Sequence, residues 1–281
     1  MYKVLQNKKI SSGSYEMIIE APMVVKNVMP GQFVLVMAKE DSERIPLSIY
    51  DYDKKKGTLY VIYQVVGAST EELSFVKDEI FGVVGPLGKP NEICANIDEF
   101  KGKKVIYVAG GVGIAPVYPQ IKYLHEHGLD ADVICGARSA DLLLIRNKVE
   151  KVVNKISYAT DDGSFGTKGF VTDLLDKVCD KYDICVTIGP MIMMKNVCDV
   201  TKKHGLKTIV SMNPLMVDGS GMCGACRCEV DGKPKFACVD GPEFDGHKID
   251  FALAMKRMNT YKEEEKIKWD MMKKKLEKED K

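Results

Sequence analysis

Four cysteines within sixteen residues, Cys223, Cys226, Cys228 and Cys238, constrain this chain more than any other feature. They stand in a glycine-rich stretch that includes Gly219, Gly221 and Gly224. Glycines let a backbone fold closely over an inorganic cluster and aim its N–H groups at the sulfides. Plant-type [2Fe-2S] sites use a C-x4-C-x2-C run with a distant fourth cysteine. Cys223 and Cys226 supply the x2 pair, and Cys238 follows after eleven intervening residues. Counting back from Cys223 puts the first slot at Asp218. Two ligand sets follow: Asp218, Cys223, Cys226 and Cys238, or all four cysteines. Cys226 and Cys228 bracket one residue and would share a face of an extended segment, which crowds Cys228. The spacing favours the Asp218 set. Zinc competes, but zinc ribbons pair two C-x2-C knuckles and Cys238 has no partner knuckle. A redox C-x-x-C is weaker, because thioredoxin-type motifs open a helix after a strand. An unligated core is the bland alternative.

Cys94, Cys135, Cys179, Cys185 and Cys198 lie mostly in apolar segments and read as small buried hydrophobes in a reducing compartment. Residues 1–9 carry no secretory apolar core, and no apolar run approaches the ~20 residues of a membrane span. Lys plus Arg number 41 against 40 acidic residues, which argues against a dedicated nucleic-acid binder. The expectation is a cytoplasmic protein that engages neither membrane nor nucleic acid.

Hydrophobic patterning divides the rest. Residues 1–100 alternate in short pieces punctuated by turn formers, the pattern of an antiparallel barrel, with one helical piece from Thr70 to Val76 plugging an end. From 101 to 211, continuous apolar strands alternate with helices. These are expected over 117–127, 141–149, 172–179 and 190–204, as in a doubly wound parallel sheet. Residues 212–249 hold the cysteines. Residues 250–281 form a last helix capped by Asp250, with Phe251, Met255, Met258, Trp269, Met272 and Leu276 at helical spacing. Its dense mixed charge reads as a solvated helix with one packed stripe, ahead of a docking helix for a partner.

After the first buried strand come Gly110, Gly111, Val112, Gly113, Ile114, Ala115 and Pro116. This departs from G-x-G-x-x-G, yet glycines still let the turn run close to a pyrophosphate at a helix N-terminus. The second strand ends at Arg138, placed to accept a 2′-phosphate, while Asp132 lies at the wrong end to bind ribose. In the barrel half, Arg44 and Ser48 flank Pro46 and Leu47 on a strand, and an arginine there pairs a phosphate bidentately. Tyr63, Gln64, Gly67, Ala68, Ser69 and Thr70 offer an aromatic, a glycine and two hydroxyls where a helix starts. Alone, either segment is an ordinary strand and cap; together, ahead of a nucleotide fold, they suggest a flavin site. His125, His127, His204 and His247 lie at helix ends or in a loop, and no Ser-His-Asp set is present.

These pieces, in this order, resemble the ferredoxin-NADP reductase-like flavoproteins. The similarity is greatest to the branch holding the dihydroorotate dehydrogenase electron-transfer subunits and the small subunits of NADH-dependent ferredoxin:NADP oxidoreductases. The resemblance implies that Arg44 to Ser48 and Tyr63 to Thr70 bind FAD. It implies that Gly110 to Pro116 bind NAD(H) ahead of NADP(H), and that Gly189, Pro190 and Met191 lie near the nicotinamide. The dihydroorotate dehydrogenase branch carries four cysteines on its cluster; the ferredoxin:NADP branch has an aspartate where Asp218 stands. The implied function is an electron conduit joining NAD(H), FAD and a [2Fe-2S] cluster to a larger flavin and [4Fe-4S] subunit in a bifurcating heterodimer. The electron-transfer subunit of a dihydroorotate dehydrogenase-like complex, a cluster-holding scaffold subunit and a self-sufficient diaphorase are the alternatives.

Overall fold

The computed structural model describes residues 1–279. Seven strands open the chain: β1 (Tyr2–Ser11), β2 (Ser14–Glu20), β3 (Phe33–Met37), β4 (Ile45–Asp53), β5 (Thr58–Gln64), β6 (Glu79–Ile80) and β7 (Gly82–Leu87). They pair antiparallel in the order β6-β1-β2-β5-β4-β3-β7. β6 and β7 occupy opposite edges, yet only Phe81 separates them in the chain. The sheet must therefore curl until its edges meet. Alternation puts Met17 and Ile19 of β2, Val34 and Val36 of β3, and Leu59 and Val61 of β5 in the shared interior. The plug helix is Ala68–Ser74, two residues earlier than its pattern suggested; Leu73 enters the core, and Asn7 Nδ2 donates to the Leu73 carbonyl at 2.9 Å.

The second sheet holds β8 (Val105–Gly110), β9 (Asp132–Ala137), β10 (Lys155–Thr160), β11 (Thr167–Lys168), β12 (Ile184–Ile188) and β13 (Lys207–Ser211). These run parallel in the order β11-β10-β9-β8-β12-β13. Every residue of β8 is buried, as its unbroken apolar run requires. β9 lies on one side of β8 and β12 on the other, so the strand order reverses at β8. In open α/β sheets, ligands bind in the crevice at such a switch point.

Two helical expectations are corrected. The segment 141–149 is a turn at Ala140–Leu142 and one helical turn at Arg146–Val149. Leu143 and Leu144 between them are both buried, which successive helical residues about 100° apart do poorly. The single last helix is two, Phe251–Met258 and Lys262–Glu279. Thr260 Oγ1 closes the first by donating to the Arg257 carbonyl at 2.8 Å. The second returns to the barrel, where Lys268 Nζ lies 2.7 Å from Glu43 Oε1. Trp269 and Met272 are half-buried and Met258 is exposed; the side chain of Leu276 lies outside the described residues.

Residues 212–249 are bound into the rest of the molecule. Their sheet is a hairpin of β14 (Arg227–Val230) and β15 (Lys233–Phe236), turned by Asp231 and Gly232 at φ 56° and 68°. A lone hairpin is marginal in water. β16 (Glu243–Asp245) adds antiparallel to β13 and completes the nucleotide sheet. A third core joins Phe33 and Leu35 of the barrel to Met191 and Met194 of the helix Met191–Lys203. Cys226, Cys228 and Cys238 share it with Phe251 and Ala254. No helix among the described residues is long and apolar enough to cross a membrane.

Candidate functional site

A cleft of about 1000 Å³ lies between the barrel and the carboxyl ends of the parallel strands. Pro46, Leu47 and Ser48 line it from β4. Leu47 turns its bulk into the barrel, and the half-buried Pro46 and Ser48 alternate with it. Arg44 precedes the strand, exposed and off the cleft wall, with no side-chain partner among the described residues. Tyr63 reaches the cleft, but its ring stacks on Tyr15 with centroids 5.6 Å apart and its hydroxyl donates to Asn7 at 2.9 Å. Burial pushes that phenol well above its usual range. Gln64 and Thr70 also line the cleft; Gly67, Ala68 and Ser69 do not. Thr70 Oγ1 accepts the Gly67 N–H at 3.2 Å, and Ser69 donates to Glu43, so both hydroxyls serve the loop itself.

On the facing wall stand Gly110, Gly111, Val112, Gly113 and Pro116, while Ile114 and Ala115 are buried in the first turn of the helix Ile114–Glu126. The glycines have different reasons. A Cβ on Gly113 would lie 2.2 Å from the Ile188 carbonyl oxygen at the end of β12. Packing demands that glycine with or without a ligand, and it also lines the cleft where the loop pattern suggested an approach to a dinucleotide. Gly111 has φ 54° and open space where its Cβ would stand. Gly189 approaches Gly110, its Cβ position 3.0 Å from the Gly110 nitrogen, which draws the two loops together. Gly189 and Pro190 line the cleft; Met191 is buried in the third core, and Met193 takes the lining position. Arg138 stands exposed on the wall beyond β9. Asp132, at the far end, is held by Asn154 and Tyr182.

Pattern reasoning missed Phe170, Asn196, Ser211 and Asn213, all on the cleft. Ser211 and Asn213 sit at and beyond the carboxyl end of β13, a position the crevice rule would have flagged.

The cysteine segment forms one end of this wall through Met212, Met216 and Pro242. Beyond Met216, Asp218 Oδ1 accepts the Ser220 N–H at 2.7 Å and Oδ2 accepts the Cys223 N–H at 3.0 Å. These bonds, the Ser220 one foremost, hold the carboxyl below its usual range. Gly219, Gly221 and Gly224 all adopt positive φ, turning the loop tightly. Cys226 and Cys238 bring their sulfurs to 3.2 Å, both buried. Burial, with the Cys226 sulfur beside it, pushes the Cys238 thiol up to about 12. Two touching buried sulfurs ionise only beside strong positive charge, so the pair suits a metal cluster. Among the described residues no three donors close into a metal-ligand group. Cys223 is exposed on the loop, and Cys228 on β14 directs its sulfur to the Lys235 carbonyl at 3.7 Å. Cys94, Cys135, Cys179, Cys185 and Cys198 are all buried, as their apolar settings suggested.

Residues 213–250 match the iron-sulfur cluster binding domain of dihydroorotate dehydrogenase B. An uncharacterised Clostridium beijerinckii protein from the adh 3′ region is 49% identical, over 94% of this chain and 92% of its own. A Thermotoga maritima homologue of the dihydroorotate dehydrogenase B (NAD(+)) electron transfer subunit is 44% identical, over 95% of this chain and 94% of its own. A chain of the solved NADH-dependent reduced ferredoxin-NADP oxidoreductase, a flavin-based bifurcating enzyme, superposes with TM-score 0.89 at 41% identity, over 96% of this chain and 97% of that one. The curled antiparallel sheet, the parallel sheet with its switch-point crevice and the cysteine segment thus have counterparts in one lineage. The chain belongs to the electron-transfer subunit family of dihydroorotate dehydrogenase B, within the ferredoxin-NADP reductase-like flavoproteins.

Proposed function

We propose that this chain passes electrons between NAD(H), FAD and a [2Fe-2S] cluster to a larger iron-sulfur flavoprotein partner, as part of a bifurcating NADH-dependent ferredoxin:NADP oxidoreductase. One observation carries this. The barrel strand with Ser48, the Gly110–Gly113 turn and Met216, two residues short of Asp218, all face a single cleft. FAD, when bound, supplies the exchange between paired and single electrons that no side chain performs.

The chain's part is to hold and align. Pro46, Leu47 and Ser48 support the flavin from β4, with Gln64 and Thr70 beside them. Arg44 reaches for its phosphates from the rim and Tyr63 stiffens the strand end. Gly111 leaves room for the dinucleotide at the start of a thirteen-residue helix, whose N-terminus favours a pyrophosphate. Arg138 flanks the nucleotide, and Gly189 and Pro190 bound the nicotinamide side with Met193. Asp218, Cys223, Cys226 and Cys238 hold the cluster. Met222 is 89% exposed beside Cys223, with Val217 and Val239 also exposed, an apolar rim suited to the partner.

A second reading is the electron-transfer subunit of a dihydroorotate dehydrogenase-like complex, favoured by the family match over 213–250. Stopped-flow reduction of purified protein by NADH and NADPH, with flavin, iron and sulfide analysis, tests the shared core. Bleaching of the flavin by NADH is the expected result; cluster without flavin reduction makes the chain a scaffold. Adding the partner subunit separates the two complexes, since only one oxidises dihydroorotate.

A further inference from the structure

The helix Phe251–Met258 is fixed against the cysteine hairpin at both ends. The Asp250 N–H donates to the Glu229 carbonyl of β14 at 3.0 Å, and the Asp250 side chain caps the helix by accepting the Leu253 N–H at 2.8 Å. Asp250, Ala254 and Arg257 lie three or four residues apart and so share one face. Ala254 is packed in the core with Cys226 and Cys238. Arg257, next on that face, donates from Nη2 to the Ala225 carbonyl at 3.3 Å. Ala225 lies inside the Cys223–Cys226 loop. Because the peptide is planar and trans, this bond turns the Cys226 N–H away from the guanidinium.

Among the described residues, Arg257 Nε is buried without a hydrogen-bond partner. Arginine keeps its proton under all protein conditions and offers donors only, so a buried N–H left over marks a place for an acceptor. The side chains nearby do not fill that role. Cys228 is close enough to feel the charge, but its sulfur faces the Lys235 carbonyl, and Asp240 is engaged by the Phe236 N–H at 2.8 Å. An anionic iron-sulfur cluster carries sulfur acceptors and gains a further negative charge on reduction.

Building on the cluster assignment above, we propose that Arg257 is a positioning residue that sets the cluster's redox potential. Its guanidinium is held to the Ala225 carbonyl inside the Cys223–Cys226 loop, and its Nε–H is buried with no partner among the described residues. A fixed positive charge there favours the reduced cluster. The bond to Ala225 holds the ligand loop at a constant distance from that charge.

The test is an EPR-monitored redox titration of the full chain with its flavin and cluster, comparing wild type, Arg257→Gln and Arg257→Lys. Removing the charge should lower the reduced-to-oxidised ratio at a fixed poise about tenfold, equal to 59 mV for a one-electron couple. Arg257→Lys, which keeps the charge, should stay within about threefold of wild type. A melting-temperature change alone would reflect only the helix-to-loop contact. Normal cluster content with an unchanged potential in Arg257→Gln overturns the proposal. Wild type without iron and sulfide overturns the cluster assignment itself. If Arg257→Gln takes up no cluster, protein labelled with 15N-arginine decides. A weak 15N coupling to the reduced cluster that vanishes in Arg257→Lys supports the role, and its absence from wild type refutes it.

Discussion

The nucleotide cleft and the cysteine loop meet at Met216, yet they are built in opposite ways. The cleft is bounded by strand ends whose side chains are buried, and Gly113 at its centre is dictated by the Ile188 backbone with no ligand present. The loop from Asp218 to Cys226 meets apolar side chains mainly through its glycines, Gly219 against Leu35 and Leu87 and Gly221 against Val239, and through Cys226. It is shaped by positive-φ glycines, three hydrogen bonds to one carboxylate and a pair of sulfurs. The cleft is set by packing, and the loop carries the residues proposed as cluster ligands. Substitutions should therefore act on folding in the first region and on cofactor content in the second.

The largest effect belongs to Gly113→Val. Its Cβ would enter the Ile188 carbonyl, and neither loop has slack to move. Overpacking typically costs about 1–3 kcal/mol, and a backbone collision exceeds that, so little soluble folded protein should accumulate. Gly111→Ala meets no atom and carries only the left-handed penalty of about 1–2 kcal/mol. It should fold, melt a few degrees lower and lose NADH reactivity. If Gly113→Val melts like wild type, the glycine is not dictated by packing.

In the loop, Cys238→Ser should lose the cluster while the flavin spectrum survives. Asp218→Ala should remove the proposed ligand and all three loop bonds, and with them most of the iron. Asp218→Cys should retain a [2Fe-2S] centre of lower potential, because thiolate donates more electron density than carboxylate. Cys228→Ser should leave the reduced-cluster EPR signal unchanged. Iron retained in Asp218→Ala but lost in Cys228→Ser would establish the four-cysteine set.

Glu243 on β16 ties the two regions together. Its carboxylate accepts from Asn91 Nδ2 and Gln120 Nε2, both at 2.8 Å. Burial raises its pKa from 4.5 to about 7, against the lowering effect of those two donors. Between these values the folded state holds a proton that the unfolded chain has released. Stability from this group is therefore full below 4.5 and falls as pH rises to about 7, by at most about 3 kcal/mol. Glu243→Gln should flatten that slope and be the more stable form at pH 8. Asn91 cannot turn, since its Oδ1 caps Cys94 N–H, but Gln120 Oε1 has no partner among the described residues and can rotate to accept the new amide. Denaturant unfolding at pH 5, 6.5 and 8 measures this, and parallel slopes in the two proteins would contradict it.

The same contrast explains what was legible from residues alone. The buried run of β8, the glycine turn and the barrel's alternation are local signals, and each appears where its pattern placed it. Partition of 212–249 was less legible. β16 pairs with β13 through a contact some thirty residues distant in the chain, and nothing in Glu243-Phe-Asp245 announces a strand. The hairpin and the neighbouring core were hidden for the same reason: Phe33, Met194 and Phe251 meet only in three dimensions. Arg257 was invisible too, since its significance lies in an unpaired atom. Met191, which the family resemblance put near the nicotinamide, is buried in the third core by helix phase.

Arg44 is the mildest test of the comparison. It is exposed at the entrance to β4, off the cleft wall and without a partner among the described residues, so it contributes nothing measurable to folding. A charge-assisted bond to a phosphate is worth about 1.5–3 kcal/mol. A flexible rim arginine spends part of that on ordering its side chain, which places Arg44→Ala at the lower end, a loosening of FAD of about tenfold. Flavin retention on extensive dialysis, followed by fluorescence titration of the apoprotein, measures it. Melting temperature and cluster content should not change. Unaltered flavin affinity would remove Arg44 from the site and leave the flavin to Pro46, Ser48 and Thr70; a fall in melting temperature with the flavin removed would show instead that Arg44 supports the barrel.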